Sequence, residues 1–154
     1  MLFRSERAGN ELLIAELLQK ISGDKNAQNY FQIKEETTFY SGVISHSYYC
    51  IFYCAKAMLL TKNIKTDAPE IHKKTFNAFK EMFIDSGTLD ATLLIIYQAM
   101  IVRAEGLLEM YKLEKKKRGV FTYNTIPQAN RLPAEESIMH AKDFFKHCRA
   151  YLKE

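Results

Sequence analysis

Residues 39 to 62 carry apolar side chains on nearly every face of a helical projection. Tyr40, Val43, Ile44, Tyr48, Ile51, Phe52, Ala55, Met58 and Leu59 recur at helical spacing and leave no broad polar stripe. Such a helix must be surrounded by other elements to be stable in water, so the segment predicts the central helix of a bundle. The flanking sequence supplies the surround. Leu12, Leu13, Ala15, Leu17, Leu18 and Ile21 predict an amphipathic helix over 4–21 that Gly23 ends, with Asp24 placed to cap a short helix over 25–36. Asp67 with Glu70 three residues on resembles a capping box, with Pro69 in the first turn, and predicts a helix over 68–84. Ser86-Gly87-Thr88 breaks it. A long helix follows over about 88–118, then a loop rich in Gly, Asn and Pro over 119–132. The last helix opens at Pro133, has Glu135 and Glu136 near its positive end, and runs to about 153.

Composition agrees. The 154 residues are about one domain by length, and only six Gly and three Pro favour long helices over strands and turns. With 47% hydrophobic and 26% charged residues, the chain is neither disordered nor collagen-like. Cys50, Cys54 and Cys148 are odd in number and lack framework spacing, which suits a reducing cytoplasm. The N-terminus is charged at once, unlike a signal peptide, and the apolar stretch 91–102 is broken by Gln98 and too short for a bilayer. The expected fold is all-α, an antiparallel four- to five-helix bundle over 39–154, with residues 1–38 as an N-terminal helical extension packed on it.

Charge is uneven along the chain. Lys112, Lys115, Lys116, Lys117 and Arg118 against Glu114 leave four positive charges, which is the whole net charge of +4. One reading is that cations at the C-terminal end of a helix complement its dipole. The other is a patch that attracts phosphate, because the run leads directly into the 119–132 loop.

Three segments together resemble the HEPN domain family. The first is Ser45-His46-Ser47-Tyr48-Tyr49-Cys50-Ile51-Phe52, continuing to Ala55-Lys56-Ala57-Met58-Leu59-Leu60. The second is Ile71-His72 with Phe76 and Phe79. The third is Arg118 followed by Tyr123, then Ala141, Phe144, Phe145, Tyr151 and Leu152. The resemblance covers about residues 39–153. It implies an antiparallel bundle, usually dimeric. Many members are metal-independent ribonucleases of toxin–antitoxin and defence systems, marked by an Arg, four to six residues, then a His at the dimer cleft. Others are non-catalytic partners of small nucleotidyltransferases, or nucleotide-binding modules.

This chain departs from the nuclease signature. Tyr123 holds the place after Arg118 where the His would stand, and Thr125 stands where some partnered members carry a Tyr. A Tyr titrating near 10 is a poor proton acceptor at neutral pH. No catalytic residue is therefore assigned, although His72 supplied from elsewhere in the bundle would serve a divergent nuclease. Expected ligand-binding residues are Arg118, Tyr123, Lys115, Lys116, Lys117 and Asn124, as phosphate and hydrogen-bond partners. The alternative is that Arg118 and Tyr123 only brace the loop.

His46, Cys50 and Cys54 share a helical face at i, i+4 and i+8, but buried Cys is usually a small hydrophobe, and no metal is expected. Glu135, Glu136 and His140 lack the doubled Glu-x-x-His of carboxylate-bridged bundles. Tyr40, Tyr48, Tyr49 and Tyr53 offer either base-stacking surface or core. The reading is a cytoplasmic homodimer joined through residues 43–60, without cofactor, meeting nucleotide, RNA or a nucleotidyltransferase partner and no membrane. A helical interaction scaffold without a ligand is a further alternative.

Overall fold

The computed structural model describes the backbone of residues 5–116 and 131–154, with the side chains of 5–109 and 131–154. The described residues form six α-helices and no strand: α1 (Glu6–Gly23), α2 (Lys25–Tyr30), α3 (Tyr40–Leu60), α4 (Ile71–Phe79), α5 (Ala91–Lys116) and α6 (Arg131–Leu152).

Helix α3 is the axis of the molecule. Val43, Ile44, Cys50, Ile51, Cys54, Ala55, Met58 and Leu59 are all essentially inaccessible, as its all-round apolar pattern requires. Helices α1, α4, α5 and α6 all pack against it. Helix α1 lies antiparallel to α3, since Leu18 meets Gly42 near one end and Arg7 lies over the Tyr53 ring at the other. A Cβ on Gly42 would stand 2.9 Å from Leu18 Cδ1, so the glycine sets how closely the two helices approach. Helices α1 and α6 are also antiparallel, tied by Lys142–Glu16 at 2.9 Å and by Ser5 bonding Glu154. An aromatic layer completes the core. Phe79 packs on Phe83, Tyr97 and Phe144 with centroids 5.5 to 5.7 Å apart, and Phe83 meets Tyr151 edge-on.

Local chemistry explains most boundaries. The Asp24 side chain accepts from the N–H groups of Asn26 and Ala27 and so opens α2. That helix stops at Tyr30, well short of residue 36, because Gln32 turns left-handed (φ 57) and Ile33 N–H reaches back to the Gln28 carbonyl. Helix α3 ends the same way. Asn63 takes φ 58, while Ile64 N–H bonds the Leu59 carbonyl. Its start depends on tertiary contact: the Phe39 N–H donates to Ser22 Oγ of α1 at 2.7 Å.

The expected capping box at Asp67 and Glu70 does not form. Glu70 itself precedes the first helical residue with φ 56 and makes no side-chain cap, and Pro69 lies before the helix. Asp67 instead presents its carbonyl to Lys74 Nζ. Past Phe79 the helix widens into a π-helical turn, Lys80–Asp85, that carries Phe83 inward. Gly87 with φ 76 then reverses the chain, and Asp90 accepts from Thr92 N–H at 2.7 Å as α5 starts.

Helix α5 contradicts one expectation about apolar surface. The window Ala91–Glu109 is long and apolar enough to cross a membrane by length and composition, with mean hydropathy 1.5, yet only 28% of it is buried. Ile95, Val102 and Leu108 stand exposed. Residues 43–60, where the apolar dimer surface was expected, are instead consumed by the core, apart from flanking positions such as Tyr49 and Leu60.

Candidate binding groove between α3, α4 and α5

Helix α4 crosses the outer side of α3, and α5 runs past both, leaving a groove of about 690 Å³. Ser45, Tyr48 and Tyr49 of α3 form one wall. Glu70, His72, Lys73 and Phe76 from the start of α4 form the second. Gln98, Ile101, Val102, Ala104, Glu105 and Leu108 of α5 form the third. The size is that of a small-molecule or peptide-anchor site.

The fixed point of the groove is a Tyr–His pair. Tyr48 Oη lies 2.8 Å from His72 Nδ1. Burial pushes the Tyr48 phenol far above its ordinary range, with the neighbouring Tyr49 and the Glu105 carboxylate adding to the effect. The hydroxyl therefore keeps its proton and shares a hydrogen bond with the ring nitrogen. Burial, then the Lys56 ammonium, hold His72 below its ordinary 6.5. At neutral pH the imidazole is uncharged, so one of its nitrogens carries the proton and the other accepts. The ring is also stacked, 4.4 Å from the Phe52 centroid at 35°. Its atoms are thus fixed by one hydrogen bond and one ring contact.

With Nδ1 engaged by Tyr48, only Nε2 remains for chemistry, and a general base needs a free lone pair there. The charged groups on the walls are Glu70, Lys73 and Glu105. Lys73 Nζ stands 3.9 Å from Glu70, and Glu105 pairs with no cation among the described residues. Two carboxylates against one ammonium leave the groove locally negative in a chain whose net charge is +4.

The residues expected to bind ligand fall elsewhere. Lys115 and Lys116 belong to the last turn of α5, two turns beyond the groove, while Lys117, Arg118, Tyr123 and Asn124 lie outside the described residues. The His46–Cys50–Cys54 face does not converge on a shared site. His46 Nδ1 is 2.6 Å from Glu11 Oε2, and Glu11 also meets Arg7 at 3.5 Å. Cys50 and Cys54 point into the core, where Cys148 Sγ donates to the Cys54 carbonyl. Burial pushes the Cys54 thiol up, with Cys148 and Cys50 adding to it. No group of three or more His, Cys, Asp or Glu among the described residues is arranged to hold a metal. Glu136 and Glu135 are engaged with Arg103 and Arg131.

Of the tyrosines, Tyr40 and Tyr48 are core and Tyr49 is half exposed on the groove, stacked on Tyr53 at 6.2 Å. Gln98, Glu105, Lys73 and Phe76 escaped the sequence reading as site residues. Their one signal was the polar pair Gln98 and Glu105, seven apart on an apolar helix and therefore on one face.

A helical bundle with these motifs in this order defines the class of protein. The chain belongs to the HEPN domain family, whose model matches residues 25–151 and so takes in every helix but α1. A protein of Methanocaldococcus jannaschii named "Putative toxin" is 34% identical over 83 residues, covering 54% of this chain and 50% of that protein. The chain thus matches only half the length of that relative. No solved structure matches the chain.

Proposed function

We propose that this chain is a non-catalytic, cytoplasmic HEPN-type binding module of a toxin–antitoxin or defence-type system. It meets the phosphates of nucleotide or RNA, or a nucleotidyltransferase-type partner, where α5 ends. The observation that carries this reading is the placement of the whole net charge in the run from Lys112 to Arg118. Counterion release from such a run drives binding to polyanions. The family and the toxin-named relative support the system to which the module is assigned. The endonuclease reading is the weaker one. Tyr123 stands in the histidine's place, and His72, the other candidate base, is tied through Nδ1 to the Tyr48 hydroxyl.

Two measurements test the proposal. Purified protein should leave single-stranded RNA intact without added metal, and cleavage that disappears in Arg118→Ala would overturn it. Anisotropy titration of a labelled single strand at two salt concentrations should give a log–log slope of about −2 to −3. Lys115→Ala should lower that slope by about one unit. Arg118→Lys should weaken binding further than its unchanged charge allows, because a guanidinium clamps phosphate with two donors. No binding at about 50 mM salt would leave the run as a helix-end charge complement only.

A further inference from the structure

The groove between α3, α4 and α5 is chemically unlike the basic end of α5, and it calls for a different occupant. Its walls are aromatic and aliphatic, its net charge is negative, and the carboxylate of Glu105 faces the Tyr48–His72 pair without a cation among the described residues. Glu105 is exposed at the mouth of the groove, and a solvated carboxylate beside ring faces attracts a cation. A cation laid over the rings would satisfy both the acid and the aromatic faces.

We propose that this groove is a docking site for an arginine carried on an apolar segment of a partner polypeptide. The guanidinium is planar, so it packs on the exposed part of Tyr49 while forking onto Glu105, with Gln98 accepting a further N–H through its amide oxygen. Its aliphatic stem lies along Ile101, and the apolar neighbours in the segment cover Val102 and Leu108, which are 63% and 60% exposed. The volume of about 690 Å³ is several times an arginine side chain and suits a segment better than the free amino acid. A nucleic acid strand is disfavoured, since its phosphates would approach Glu70 and Glu105. This surface is distinct from the phosphate-binding run, so the two proposals stand or fall separately.

The test uses the full chain labelled with nitrogen-15 and two probes, acetyl-Leu-Arg-Leu-amide and its citrulline counterpart, which has the same shape without the charge. The arginine peptide should shift the amides of Tyr49, His72, Gln98 and Glu105, and the citrulline peptide should bind about tenfold more weakly. Glu105→Gln should weaken the arginine peptide by a similar factor. Glu36→Gln, the same charge loss on an exposed residue outside the groove, should leave it unchanged. Equal binding of the two peptides, or equal behaviour of the two variants, overturns the proposal. So does adenosine shifting the same amides more strongly than the arginine peptide, which would make the groove a base-binding site. The absence of any shift at about 5 mM peptide overturns it as well.

Discussion

The hydroxyl of Tyr97 is fully buried between α5 and the aromatic layer and finds no hydrogen-bond partner among the described residues; Ser47 Oγ on α3 is in the same position. An unsatisfied buried hydroxyl costs more than it returns. Tyr97→Phe keeps the ring contacts with Phe76, Phe79 and Phe144 and should raise stability by about 1 kcal/mol. Urea unfolding checks it, and a loss of stability would show that the hydroxyl has a partner. His72 gives a pH prediction. Its folded pKa lies below the ordinary 6.5, so the unfolded chain takes up a proton at higher pH than the folded one. The contribution of His72 is fully present above about 6.5 and is lost as pH falls through that value toward the folded one. Melting temperatures between about pH 7 and 5 should fall less steeply in His72→Phe than in the parent. Nitrogen-15 shifts of the ring should show a titration midpoint below 6.5.

Elements end here where single residues turn the backbone left-handed. Gln32 occupies a position that glycine adopts without strain, so Gln32→Gly should stabilise the end of α2 by about 1 kcal/mol, again read by urea unfolding. The start of α6 is held from outside. Arg103 on α5 donates from Nη1 to the Pro133 carbonyl and Ser137 Oγ at 3.2 Å each, and from Nη2 to Glu136 at 2.8 Å. Arg103→Ala should cost about 1–3 kcal/mol, with faster amide exchange confined to the first two turns of α6. Uniform exchange along α6 would count against such a clamp. The helices themselves were largely legible in sequence, because their period and breakers are local. The false capping box was not, because Asp67, Pro69 and Glu70 have the right residue types while the chain turns left-handed at Glu70.

At the scale of the whole molecule, the proposed homodimer loses the apolar surface that motivated it. The sequence pointed to residues 43–60, but that apolar surface belongs to the core. The large apolar side chains left exposed include Leu13, Ile14 and Leu17 on α1 and Ile95, Val102 and Leu108 on α5. A specific dimer interface needs more than about 1,000 Å² of buried area. Light scattering should give twice 17.9 kDa for the protein at micromolar concentration. A mass that stays at 17.9 kDa there overturns the dimer.

The sequence by itself determined the all-α class, the helix order, the central place of residues 39–62 and the family. Each follows from patterns within one segment or from motifs in a fixed order. It also located the run from Lys112 to Arg118, since charge can be counted along a chain. Tertiary structure decided which apolar faces were spent in the core and which were left over, as on α5. Periodicity reports that a face is apolar and never what covers it. Tertiary structure also made the groove. Tyr48, His72, Gln98 and Glu105 come from three helices, and their meeting depends on how those helices cross. The hydrogen bond between Tyr48 and His72 and the nearness of Glu105 to Tyr48 are properties of that crossing, set by neighbours that lie 24 and 57 residues from Tyr48 in the chain.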